Sequence, residues 1–177
     1  ATANAQCSID GSSFANCISP YVTGTLTDGS HTFQVRGLDA AGNTSSSASY
    51  SWTQDTVAPA APIISNTAQY IRQNYLTINY TRSAGTTTCQ LDSNIAVTCS
   101  SATTHTLSGL ADGSHTLRIL TVDAAGNSSS STYAFTVDTV APSVAVFTSS
   151  TSITNSSSSS IAFTTDAGVT ISCSLDG

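Results

Sequence analysis

The feature that most constrains this chain is that it repeats itself. The segment Asp28-Gly-Ser-His-Thr-Phe-Gln-Val-Arg-Gly-Leu-Asp-Ala-Ala-Gly-Asn43 returns as Asp112-Gly-Ser-His-Thr-Leu-Arg-Ile-Leu-Thr-Val-Asp-Ala-Ala-Gly-Asn127, at an offset of 84. Asp55-Thr-Val-Ala-Pro59 returns as Asp138-Thr-Val-Ala-Pro142, at an offset of 83. Cys7-Ser-Ile-Asp-Gly11 returns two periods on as Cys173-Ser-Leu-Asp-Gly177, with Cys89-Gln-Leu-Asp-Ser93 between them. Separate blocks recurring in one order at one period mark a tandem array in which each repeat is one structural unit.

The repeat is cut out of phase. Val-Ala-Pro closes one unit and opens the next, so residues 1–57 read as the C-terminal part of a first unit, 58–139 as a complete unit, and 140–177 as the N-terminal part of a third. Two expectations follow. Either the chain is a window on a longer array, or chains polymerise, the C-terminal part of one completing the N-terminal part of the next. The two partial units together exceed one period, and both carry the Cys-containing strand. That redundancy favours the window.

Apolar residues within a unit alternate with period two, as in half-buried strands. Phe33 and Val35 share one face, with Gln34 and Arg36 opposite, and Leu117 and Ile119 repeat the pattern around Arg118. Leu76, Ile78 and Tyr80 alternate likewise, and Tyr50-Ser-Trp-Thr and Tyr133-Ala-Phe-Thr-Val match as closing strands. Turn signals at Asp10-Gly11, Asp28-Gly29, Gly42-Asn43, Asp112-Gly113 and Gly126-Asn127 separate the runs. About seven short strands in roughly 84 residues predict an all-β fold, an antiparallel β-sandwich of immunoglobulin or fibronectin type III kind, with Trp52 or its counterpart Phe135 anchoring the core. Composition agrees: Lys, Glu and Met are absent, and Ser and Thr supply about a third of the chain. A net charge of −6 disfavours nucleic-acid binding, and no apolar run is long enough for a transmembrane helix. The N-terminal stretch up to Cys7 has neither the basic nor the apolar region of a signal peptide, so any export signal is expected outside it.

The spacing of Cys7 and Cys17 recurs as Cys89 and Cys99. Two cysteines on the arms of a short hairpin can meet at disulfide distance, and closing such a loop of about eleven residues contributes roughly 3 kcal/mol. Zinc sites favour shorter Cys spacing with a second pair nearby, and neither occurs here. Disulfides imply an oxidising, exported location. Cys173 is then the first member of a third pair, with its partner expected beyond the end of the chain.

Serine, histidine and aspartate cluster at Asp28, Ser30, His31 and at Asp112, Ser114, His115. A hydrolase triad needs side chains converging from separate segments. Here they are neighbours at a turn, and a corner histidine bonded to backbone is the expectation. The Asp-Ala-Ala-Gly-Asn turns, Asp39 to Asn43 and Asp123 to Asn127, carry two readings. The carboxylate can organise a tight turn. Alternatively, Asp39 or Asp123 could bind Ca²⁺ together with Asp55 or Asp138 near the unit boundary. Asn-x-Ser/Thr sequons at Asn43, Asn79, Asn127 and Asn155 carry little weight in so Ser/Thr-rich a chain.

Taken together, the Cys-Ser-(Ile/Leu)-Asp-Gly, Asp-Gly-Ser-His-Thr, Asp-Ala-Ala-Gly-Asn and Asp-Thr-Val-Ala-Pro blocks resemble tandem bacterial Ig-like repeats of large secreted or surface adhesins and extracellular fibres. The resemblance implies a structural, non-enzymatic stalk segment at the cell surface or outside it, partnered by neighbouring repeats of the same or an identical chain. It also implies calcium at the junctions as one way of stiffening the stalk, whereas the paired cysteines could make calcium unnecessary. The alternative functions are a glycan- or surface-binding module, with specificity at Tyr21-Val-Thr or Ile95-Ala-Val, and an accessory repeat of a secreted hydrolase.

Overall fold

A computed structural model of the chain describes residues 4–148 and 155–175. Ala1, Thr2 and Ala3, and the Asp176-Gly177 end of the third Cys-Ser-Leu-Asp-Gly block, lie outside the described residues. All regular structure among those described is β-strand.

The N-terminal residues build one four-stranded antiparallel sheet. Its strands are β1 (Asn4–Ile9), β2 (Ala15–Cys17), β3 (Gly29–Leu38) and β4 (Ala48–Gln54), in the order β2-β1-β3-β4. Asp10 and Gly11 connect β1 towards β2 with φ of 51° and 76°. Consecutive left-handed residues favour Gly and Asp, whose small or self-bonding side chains tolerate that region.

The central residues form a two-layer sandwich. Its strands are β5 (Ile63–Ile64), β6 (Tyr70–Ile71), β7 (Tyr75–Thr81), β8 (Thr86–Leu91), β9 (Val97–Thr98), β10 (Thr104–Ser108), β11 (Gly113–Val122) and β12 (Ser128–Val137). One layer runs β10-β7-β5 and the other β6-β12-β11-β8-β9, antiparallel except where β6 lies parallel to β12. The predicted alternation is met. Leu76, Ile78 and Tyr80 of β7 turn inward against Leu117 and Ile119 of β11 and Phe135 and Val137 of β12, while Thr77, Asn79 and Arg118 face out. Each fully buried Ile or Leu contributes about 1.5–3 kcal/mol by leaving water. Buried polar groups in this core have partners: the Thr87 and Thr121 hydroxyls lie 3.2 Å apart, and the His105 Nδ1 accepts from the Ser100 N–H at 3.1 Å.

The C-terminal residues carry β13 (Val146–Phe147) and β14 (Phe163–Thr164), paired Val146 to Thr164 and Phe147 to Phe163. Shifted by 83, this is the β5–β7 register, which pairs Ile63 with Thr81 and Ile64 with Tyr80.

One expectation needs correcting. Phe135 is 3% exposed and sits in the core, but Trp52, at the matching position of β4, is only half-buried. No second layer packs on that face of the N-terminal sheet among the described residues, so the ring rests only against its sheet neighbours His31 and Tyr50.

Candidate functional site

The titratable groups that could do chemistry form a small clamp, present twice. At the end of β1 the Asp10 N–H donates to the Thr32 carbonyl (2.9 Å), and the Thr32 N–H donates back to Asp10 Oδ1 (2.8 Å). His31 donates from Nδ1 to Asp10 Oδ2 and from Nε2 to the Thr27 carbonyl, both at 2.7 Å. The end of β8 repeats this. His115 donates from Nδ1 to Asp92 Oδ2 and from Nε2 to the Ala111 carbonyl, both at 2.8 Å, while the Thr116 N–H donates to Asp92 Oδ1 at 2.7 Å.

An ionised carboxylate and a carbonyl oxygen only accept, so both ring nitrogens must carry hydrogen. The geometry therefore selects the imidazolium paired with a carboxylate. The Asp10 hydrogen bond and then the Thr27 carbonyl raise His31 above the ordinary histidine value; the Ala111 carbonyl and then Asp92 raise His115. The same bonds hold Asp10 and Asp92 below the usual carboxylate range. Each cation also lies against an aromatic ring, His31 on Trp52 at 5.7 Å and His115 on Phe135 at 5.5 Å between centroids.

Such a clamp offers neither a nucleophile nor a free base. Asp28, the histidine's neighbour in sequence, turns away: its Oδ1 accepts from the Thr56 N–H and hydroxyl at 3.0 and 2.9 Å, and Asp112 does the same with Thr139. The backbone bond to His31 was expected, but Asp10 was not, although the co-recurrence of Asp10 with His31 and of Asp92 with His115 was a signal available in the repeat.

The four aspartates read as calcium ligands are engaged locally. Asp39 Oδ1 accepts from the N–H groups of Ala41 and Asn43, and its Oδ2 from the Asn43 amide at 2.9 Å. Asp123 is bonded in the same way by Ala125 and Asn127. The Asn43 amide draws Asp39 below its ordinary pKa. At Asp123 burial pushes upward, but the Asn127 donors outweigh it and the net shift is downward. Gly42 and Gly126, at φ 91° and 97°, supply the left-handed step that closes each turn. Asp55 and Asp138 each cap their own linker by accepting from the N–H two residues on, Val57 and Val140. At the first junction the Asn127 amide also donates to the Asp55 carbonyl at 3.0 Å, a donor placed where a cation would need an acceptor. Among the described residues no three His, Cys, Asp or Glu side chains converge. Each of these carboxylates already accepts N–H bonds from its own turn or linker, so a calcium ion there would draw most of its six to eight oxygen ligands from backbone carbonyls and water.

Cys7 is bonded to Cys17 and Cys89 to Cys99, with Cα separations of 5.8 and 5.2 Å. Cys89 and Cys99 are buried in the central core, so that bridge ties the β8–β9 edge into the sandwich. Cys173 is an exposed free thiol.

With this geometry in hand, comparison with known proteins assigns the class. Residues 62–139, the central sandwich, match the model of the bacterial Ig-like domain family. No curated protein sequence matches the chain. Among solved structures, one similar to it is a Ca²⁺-stabilised adhesin with which an Antarctic bacterium reaches out and binds ice (21% identity, TM-score 0.42, 85% of this chain and 44% of that one). A second is a tetra-tandem repeat in the extending region of a large adhesion protein (20% identity, TM-score 0.35, 83% and 44%). A third is the Bacteroides ovatus SGBP-B of a mixed-linkage glucan utilisation locus, in complex with a heptasaccharide (16% identity, TM-score 0.26, 77% and 37%). The chain spans less than half the length of each.

Proposed function

We propose that this chain is a structural segment of an extracellular bacterial fibre or adhesin stalk and performs no catalysis of its own. In this reading residues 1–57, 58–139 and 140–177 belong to three successive units, and the partners are neighbouring repeats. The observation that supports it is the duplication of one clamp, Asp10 with His31 and Asp92 with His115, in successive units with the same atoms. A unit secured the same way each time adds length without adding chemistry. A disulfide in each of two units suits an oxidising, exported location at the cell surface or beyond. The turn aspartates serve their own turns, and calcium has no required part.

The competing reading is a glycan-binding surface. Its best candidate is the open aromatic face of Tyr21, Phe33, Tyr50 and Trp52. The counterparts of Phe33 and Trp52 in the central unit, Leu117 and Phe135, are interior residues, so the repeat explains these positions without a sugar.

Single-molecule stretching tests the structural role. The central sandwich should give a discrete unfolding event. Its length gain should increase by about 30 Å on reduction, the ten Cα–Cα steps from Cys89 to Cys99 at about 3.5 Å each less the 5.2 Å that the bridge already spans. Extension of the central unit with no resolvable force peak would sink the reading.

A further inference from the structure

The joint between the first and central units is anchored on both sides. Behind it, Asp28 Oδ1 accepts from the Thr56 N–H and hydroxyl, tying the exit of β4 to the turn that opens β3. Ahead of it, side chains of the central unit hold the carbonyls of three linker residues. The Ser129 hydroxyl donates to Pro59 at 2.7 Å and the Ser83 hydroxyl to Ala60 at 3.2 Å. The Ser131 hydroxyl donates to Pro62, whose ring is fully buried. Between the anchors at Thr56 and Pro59 only Val57 and Ala58 remain. The Val57 N–H is taken by Asp55 Oδ1, Ala58 precedes a proline and is biased to extended backbone, and the φ of Pro59 is fixed by its ring.

Asn127 reaches across this gap. A side-chain amide has two hydrogens to donate, and both are used: one meets Asp123 Oδ2 at 3.1 Å, the other the Asp55 carbonyl at 3.0 Å. Asp55 lies on the first unit's side of the Thr56 anchor. A swing of one unit about Val57 or Ala58 would therefore part the amide from the carbonyl. We propose that Asn127 is a brace that fixes the angle between successive units, with Asp123 as the positioning residue that aims its amide. A neutral amide on a carbonyl does this with neither metal nor charge. The anchors recur at the second joint. Asp112 holds Thr139, and Asp166 holds the N–H and hydroxyl of Ser143 at 2.6 and 2.8 Å. Shifted by 83, Asp166 and Ser143 are Ser83 and Ala60, so that tie is kept with its donor and acceptor exchanged. The inference rests on the reading of residues 1–57 and 58–139 as successive units, and it concerns how they are joined rather than what the array is for.

Residual dipolar couplings of the full 177-residue chain test it. Couplings from β1, β3 and β4 and from β7, β8, β11 and β12 should fit one alignment tensor. A chain with Gly-Gly inserted between Val57 and Ala58 supplies the uncoupled reference, in which each unit needs its own tensor. Asn127→Ala should lose the common tensor and approach that reference, while couplings within the central sandwich still fit its own structure. Asn127→Ser keeps a donor for the Asp123 turn but is too short to reach Asp55, and it should uncouple the units in the same way. A wild type that needs two tensors, as the Gly-Gly chain does, overturns the inference. So does retention of the wild-type tensor in both Asn127 variants. The stretching peak of the central unit does not depend on the angle of the joint, so either experiment can fail without the other.

Discussion

Asp92 and His115, 23 residues apart in sequence, meet at 2.8 Å, and Asp10 and His31, 21 residues apart, meet at 2.7 Å in the same arrangement. In both units the carboxylate ties the end of one strand to the start of the strand beside it. Five predictions rest on this and on the packing around it.

The clamp makes stability depend on pH in a defined direction. The histidines are raised in the folded state, so their contribution is fully present below the ordinary histidine pKa and is lost as pH rises through the raised value. The aspartates are lowered, so theirs is present above the ordinary carboxylate range and lost as pH falls through the lowered value. His105 acts oppositely to the clamp histidines. Burial lowers its pKa, so it costs stability as pH falls below the ordinary histidine value. Melting temperatures should therefore fall on the alkaline side, and the fall should vanish in a His31→Gln, His115→Gln double variant. An alkaline decline of equal size in that variant would count against the clamp. Asp92→Ala should cost on the order of 1 kcal/mol, reduced from a charged hydrogen bond's full worth by the carboxylate's exposure.

Replacing Cys89 and Cys99 together by Ala should destabilise the central unit by about 2–3 kcal/mol, because the denatured chain regains the entropy of an open loop. Denaturant unfolding of the oxidised and reduced wild type should show a similar gap. Equal midpoints would mean the bridge adds nothing.

Core position and repeat position separate cleanly at one pair of aromatics. Phe135→Ala empties a packed site and should cost about 3–5 kcal/mol, whereas Trp52→Ala at the half-buried counterpart should cost about 1 kcal/mol or less. Comparable losses in urea titrations would show that the N-terminal face is covered in the monomer.

Calcium and chelator should leave the thermal melt unchanged, since the turn carboxylates are committed to N–H donors. Asn127→Ala, by contrast, removes the side-chain amide that donates to both the Asp123 carboxylate and the Asp55 carbonyl and should lower the melting temperature. A rise in melting temperature with added calcium would require the junction to rearrange into a site.

Gly85 adds a steric check on the sandwich. It sits at φ 135°, and a Cβ there would meet the Val122 carbonyl at 2.4 Å. Gly85→Ala should therefore destabilise the β8–β11 ladder far more than the propensity gain could return.

Much of the architecture was legible because it rests on local, periodic physics. Alternation at Leu76, Ile78 and Tyr80 needs only the pleat of a strand, and repetition of whole blocks needs only comparison of the chain with itself. Contacts that depend on distant strands were not legible in the same way. Asp28 lies beside His31 in sequence but bonds Thr56, while Asp10 reaches the histidine across the β1–β3 ladder. Likewise Trp52 and Phe135 read alike, since identity in sequence cannot say whether a second layer covers the ring.

The sequence alone thus determined that the chain is all-β, tandem, and built of one recurring unit, because strand period and turn chemistry are written residue by residue. Only the tertiary structure decided which aspartate holds each histidine and which carboxylates are already spent on their own turns. It also decided which apolar faces are closed and which are open. Those properties arise from burial and hydrogen-bond competition among segments far apart in the chain, where an N–H taken by one carboxylate is lost to every other.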